Sequence, residues 1–149
     1  MAKSKYGKYI VTTPKPNRES PNDGRTDAPG PDMGKWVMYI DEEYPKGAYY
    51  MEGGWLVKAY PDKIWARAHT HKFDELIGFY GSNMNDVNDL GGEIELWLED
   101  EKFILTKSCT VFVPAGMKHC PLIIKRVDRP IFHFTNSPEG KYERELVNK

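Results

Sequence analysis

The sequence predicts an all-β domain, a sandwich or barrel of short strands, preceded by an extended N-terminal arm. Three observations carry this. Beyond residue 35 the chain is a succession of short runs rich in β-branched and aromatic residues, with turn residues between them at the intervals of a β-sandwich or barrel. In 93–98, Ile94, Leu96 and Leu98 share one face while Glu93 and Glu95 take the other, the alternation of a half-buried antiparallel strand. Residues 14–35, in contrast, hold five prolines, three glycines and no aromatic residue, so they lack an apolar face to contribute to a core.

Taken in order, the arm is 1–35 and the barrel 36–149, with strands expected at 36–40, 48–51, 55–60, 64–71, 75–80, 93–98, 102–106, 110–113, 120–126 and 131–135. The Asn- and Asp-rich stretch 82–92 lacks calcium-loop spacing and reads as turn chemistry. Helical signal is confined to the end, where Ser137, Pro138 and Glu139 start a short helix through 142–147. There is no internal repeat and no helix-turn-helix pattern.

A chain of 149 residues buries an ordinary single core. Its 21 basic and 22 acidic residues are interspersed, which leaves no electrostatic footprint for nucleic acid or an anionic membrane. The N-terminus has no apolar signal region and no run is long enough to span a bilayer, so the expectation is a soluble, cytoplasmic protein. Cys109 and Cys120 form no CxxC pair and are expected to stay reduced, with Cys120 a buried structural thiol whose sulfur is aimed away from the neighbouring His119.

The chain has four histidines, and three fall where they can share a ligand. On an extended strand His69 and His71 project to the same side. Lys72, Phe73 and Asp74 allow a reversal that returns Glu75 on the adjacent strand beside the two imidazoles. His119 begins a later strand, after a turn in which Pro114 restricts φ and Gly116 permits unusual backbone angles. Three neutral imidazoles and a carboxylate suit one divalent transition metal, Fe, Mn, Ni, Cu, Co or Zn, and disfavour calcium and magnesium. Four protein ligands leave two positions open on a six-coordinate ion, the condition for catalysis rather than structure.

The segments His69-Thr-His-Lys-Phe-Asp-Glu75 and Pro114-Ala-Gly-Met-Lys-His119 resemble the paired motifs of the cupin superfamily, and the resemblance covers roughly residues 55–135. It implies a jelly-roll, or double-stranded β-helix, with the metal inside one end, held through His69, His71, Glu75 and His119. Lys63 and Ser108 stand where the motifs usually carry glycine, Ile123 where they usually carry asparagine, and Gly81 closes the first motif one residue early. These departures touch turns and packing, not the ligands.

In such a barrel, strand parity places Trp65 and Arg67 on the side of His69 and His71, with the Arg67 guanidinium aimed into the cavity to meet a substrate anion or a structural carboxylate. The same parity turns Ile77 and Phe79 inward as an apolar wall, and selects Ile123 and Lys125 on the His119 strand, with Pro121 interrupting. His133 lies on 131–134, where either face is open to burial; inward it is a general base or substrate hydrogen-bond donor, and the neighbouring Phe132 and Phe134 have the stronger claim on the core. Tyr49, Tyr50 and Met51 line the barrel from its first strands, with Tyr50 a second candidate for moving a proton.

The function expected is a metal-dependent enzyme acting on a small organic acid or related metabolite: a dioxygenase, or a Lewis-acid isomerase, decarboxylase or lyase. A non-catalytic metal- or small-molecule-binding module is the alternative. Expected partners are the small-molecule substrate and a second copy of the chain. Neither nucleic acid nor membrane is expected. The homodimer follows from the arm, which can cover the exposed sheet edges of a neighbouring barrel.

Overall fold

The computed structural model describes residues 4–16 and 34–147. Among the described residues ten strands form two five-stranded antiparallel sheets: β1 Gly34–Ile40, β2 Tyr50–Leu56, β3 His69–Thr70, β4 Glu75–Tyr80, β5 Asp89–Leu98, β6 Glu101–Lys107, β7 Cys109–Val113, β8 His119–Val127, β9 Ile131–Ser137 and β10 Glu145–Leu146. The first sheet runs β1-β2-β9-β4-β7 and the second β10-β3-β8-β5-β6. This is the jelly roll anticipated above, with its core between the sheets: Leu56, Phe79, Leu90, Ile94, Leu96, Leu122, Ile124 and Ile131 are all buried.

Register explains how the first sheet builds an inner wall. Residues two apart along a strand face the same side, and the pairing aligns β2, β9, β4 and β7 into rows. Tyr50 pairs with Ser137, which lies beside Glu75 and, across β7, Val113. Glu52, Thr135, Ile77 and Val111 form the next row, and Gly54, His133, Phe79 and Cys109 the third.

Several expected elements change. The strands drawn as 48–51 and 55–60 are one strand, β2, which runs through Gly53 and Gly54. These glycines are not a turn: a Cβ at Gly54 would stand 2.7 Å from the Trp36 Cα of β1, so glycine permits the close approach of two backbones. Strand 64–71 is reduced to β3, because ahead of it the chain makes only an isolated bridge to β8, Ala66 opposite Leu122, and bends at Trp65 and Ala68. The expected helix over 138–147 is absent. That segment leaves β9 and runs irregularly until Glu145–Leu146 pairs with β3, so backbone ladder bonds replace a helix too short to stabilise itself.

A bulge in β8 inverts the predicted parity there. Leu98 pairs with His119 and Leu96 with Leu122, so two β8 residues, Cys120 and Pro121, oppose one residue of β5, with Cys120 at φ 70°. The extra residue flips the faces. Leu122 and Ile124 are therefore buried, and the inward positions expected for Ile123 and Lys125 are corrected. The same bulge lets both His119 and Cys120 be buried although they are adjacent.

The turn reading holds for 82–88, while 89–92 already belong to β5; Asn83, Asp86 and Asp89 each accept a hydrogen bond from the backbone N–H two residues on. Of the expected arm, 17–33 lies outside the described residues, and β1 already begins at Gly34. The described part, 4–16, is tied to its own barrel at Lys15, whose N–H donates to the Tyr39 carbonyl and whose ammonium contacts Asp41 at 2.7 Å and Glu43 at 2.6 Å. Among the described residues no helix is long and apolar enough to cross a membrane.

Candidate metal centre

His69, His71, Glu75 and His119 come together, all buried, with their ligand atoms within 4.8 Å of one another. The two sheets share the set. His69 lies on β3 directly opposite His119 on β8, whereas Glu75 opens β4 in the other sheet. Glu75 therefore does not return on the strand adjacent to the histidines, as a hairpin would require; residues 71–74 cross from one sheet to the other. The crossing is held by the turn before His119. The Gly116 N–H donates to the His71 carbonyl at 2.8 Å, the Ala115 N–H donates to Asp74 Oδ1 at 2.8 Å, and Gly116 takes φ 84°, a conformation glycine adopts without strain.

The outer nitrogen of each imidazole is occupied by backbone. His69 Nδ1–H donates to the Arg67 carbonyl at 2.6 Å, His71 Nδ1–H to the Glu143 carbonyl at 2.6 Å and His119 Nδ1–H to the Met117 carbonyl at 3.1 Å. This selects the tautomer in which all three Nε2 atoms turn their lone pairs inward. His69 Nε2 and His71 Nε2 are 3.2 Å apart, and Glu75 Oε2 lies 3.0 Å from His71 Nε2 and 3.1 Å from His119 Nε2. Four electron-pair donors converging this closely fit a bound cation. With metal–nitrogen bonds of about 2.1 Å, adjacent ligands of a tetrahedral or octahedral ion stand roughly 3.0–3.4 Å apart.

Electrostatics agree with that assignment. Burial first, and then the His119 and His71 rings beside it, push the His69 pKa down to about 3, so its imidazole is neutral. For Glu75, burial opposes ionisation, but interaction with the adjoining His119 and His71 rings outweighs it and holds the carboxyl at about 2, so Glu75 is a carboxylate. The donor set, three imidazoles and one carboxylate, suits a transition metal.

Around this centre the structure sorts the remaining candidates. Tyr50 is buried in the row of Glu75, and its hydroxyl shares a 2.8 Å hydrogen bond with Thr135 Oγ1. Burial, reinforced by Glu52, raises its pKa well above 10, so Tyr50 is a proton donor and not a base. Tyr49 is exposed, and parity turns Met51 to the outer face. Ile77 and Phe79 are buried in the inner wall, as parity indicated. Trp65 packs against the core with its ring 6.0 Å from Trp36 and 6.2 Å from His133. Arg67 is exposed, which corrects the expected inward guanidinium: β3 begins only at His69, so the alternation does not extend back to Arg67. Its contribution to the site is the backbone carbonyl that orients His69.

His133 faces inward, against the stronger claim expected for Phe132 and Phe134. Those two phenylalanines join Trp55 and Tyr80 in an aromatic cluster on the outer face of the sheet, and a Cβ at Gly78 would collide with the Phe134 ring. His133 stacks on Phe79 with centroids 4.6 Å apart, and its Nδ1–H donates to the Gly78 carbonyl at 3.0 Å. Burial lowers its pKa to about 4, so it is neutral, with Nε2 as an acceptor. Along β4, Phe79 is four residues, roughly 13 Å, from Glu75. His133 thus belongs to the remote part of the inner wall.

Sequence reasoning missed Thr135, Ser137 and Glu52, which parity along β9 and β2 would have supplied had the inward face been known. It also missed Tyr142, whose ring lies 4.9 Å from Tyr50 and 5.0 Å from His71. No local signal marked it.

Comparison with solved structures now gives the fold its context. An uncharacterised conserved protein with a double-stranded β-helix domain from Klebsiella pneumoniae subsp. pneumoniae superposes with a TM-score of 0.51 at 13% sequence identity, over 81% of this chain and 90% of that one. Oxalate decarboxylase from Lactobacillus farciminis, solved as its formate complex, superposes with a TM-score of 0.51 at 14% identity, over 78% of this chain and 32% of that longer protein. The fold is a double-stranded β-helix. No protein-family model matches the sequence, and no curated protein is significantly similar to it. Within this barrel, the four converging residues are those of the two sequence motifs.

Proposed function

We propose that this cupin is a metal-dependent enzyme acting on a small organic acid or related metabolite. The observation that carries the reading is the convergence of three imidazole Nε2 atoms and one carboxylate oxygen, each imidazole oriented by a backbone carbonyl behind it. The ion would be held by His69, His71, Glu75 and His119. When bound, it supplies Lewis acidity or a site for O2, which gives dioxygenase chemistry or isomerisation, decarboxylation or elimination. A divalent ion beside a single carboxylate leaves net positive charge, which favours an anionic oxygen on the substrate without help from Arg67.

The protein's own residues divide the remaining work by row. In this reading Tyr50, in the row of Glu75 and protonated, donates a proton near the reacting end of a bound molecule. Ile77 and Trp65 restrict water along the wall, while Phe79 supports the His133 ring, whose Nε2 accepts a hydrogen bond from the remote end. The L. farciminis enzyme, a decarboxylase of a small dicarboxylic acid, is consistent with this substrate class through the shared fold alone.

The test is elemental analysis of protein purified without a metal-affinity column, followed by electron paramagnetic resonance with nitric oxide as an O2 surrogate. About one equivalent of a transition metal with an exchangeable position is expected. A saturated ion that excludes small ligands would favour a non-catalytic binding module instead. The homodimer expected from the arm is a further proposal: deletion of residues 1–34 should convert a dimer to a monomer by size exclusion with light scattering, and an unchanged oligomeric state would refute it.

A further inference from the structure

Between β9 and β10 the chain crosses the metal end of the barrel from one sheet to the other. It leaves the first sheet with the Tyr50 N–H donating to the Glu139 carbonyl at 2.8 Å and the Glu42 N–H donating to the Gly140 carbonyl at 2.7 Å. It reaches the second where Glu145 pairs with Thr70 and Leu146 with His69, and the Val147 N–H donates to the Ala68 carbonyl at 3.0 Å. Between these anchors Tyr142 lies edge-on to His71 and against Tyr50 and Phe73, and the next residue, Glu143, presents the carbonyl that accepts His71 Nδ1–H.

We infer that this C-terminal strap is the outer layer of the metal centre: it positions His71 and sets how tightly the site holds its ion. The inference rests on the metal reading above. Of the three histidines, His69 and His119 take their orienting carbonyls from two residues upstream, Arg67 and Met117, just ahead of their own strands. His71 takes its carbonyl from 72 residues away. Its orientation therefore depends on the strap staying docked, through the Tyr142 ring on one side and the β10 ladder on the other. Groups that orient a metal-binding histidine from behind are worth about 10–100-fold in metal affinity.

The test uses full-length protein and cobalt(II), with affinity measured by competition against a chromophoric chelator. Tyr142→Ala removes the ring, and Val147→Pro removes one ladder donor far from any ligand. Each should raise the cobalt Kd about tenfold or more while the far-ultraviolet circular dichroism stays native. Tyr142→Phe, which keeps the ring, should remain within about twofold of wild type. A tenfold loss in either of the first two variants supports the strap's role, and wild-type affinity in both overturns it. Wild-type protein that binds no cobalt would overturn the metal reading itself, and this inference with it.

Discussion

Replacing His71 and His119 together by alanine is expected to abolish stoichiometric metal binding. The pair supplies two of the three Nε2 atoms that converge on Glu75, and each stands within 3.1 Å of the Glu75 oxygen. What remains, His69 and Glu75, is a two-ligand set on opposite sheets, too few to compete with water for a divalent ion. The measurement is metal content by mass spectrometry on purified protein, with circular dichroism to confirm that the barrel persists. The folding core is a separate group of residues, Leu56, Phe79, Ile94, Leu96, Ile124 and Ile131 among them, so loss of the ion need not unfold the chain. A double variant that still carries one equivalent would show that the ion, if any, sits elsewhere.

Phe79→Ala should have the largest effect on stability. Phe79 is fully buried, packs among the core residues and supports the ring of His133 at 4.6 Å. Truncation removes its transfer free energy and leaves a cavity between two sheets whose ladders restrain collapse, at a cost of about 3–5 kcal/mol. Against a total stability of about 5–15 kcal/mol for a domain this size, that is a large fraction. Urea denaturation followed by tryptophan fluorescence reads the change. A loss under about 1 kcal/mol would mean that the wall repacks and that Phe79 does not support His133 as described.

The ligand set was readable because it depends on local geometry. His69 and His71 share a face through the two-residue period of an extended chain, and Pro114 and Gly116 mark the turn that delivers His119. What failed were extrapolations of parity across irregularities. Arg67 lies just outside β3, before the alternation begins, and Ile123 and Lys125 lie beyond the bulge at Cys120 and Pro121. A single unpaired residue reverses every face after it, and the residues around a bulge do not announce it.

His133 shows the other limit. Hydrophobicity argued for Phe132 and Phe134 inside, since a buried polar ring costs free energy unless it is hydrogen-bonded. The Gly78 carbonyl supplies that bond and Phe79 the stacking surface, while Trp55, Tyr80 and a glycine without a Cβ accommodate the phenylalanines outside. Each of those partners comes from another strand.

By itself, then, the sequence determined the all-β class, most of the strands and the identity of four converging ligands, because these follow from patterns of a few residues, the ligands from two short motifs. Only the tertiary structure decided that Glu75 reaches the histidines from the opposite sheet, that His133 is inside and Arg67 outside, and that a C-terminal strap stands behind His71. These depend on strand pairing over separations as long as the 72 residues between His71 and Glu143, where the free energy of the whole packed barrel, and not any local preference, selects the face.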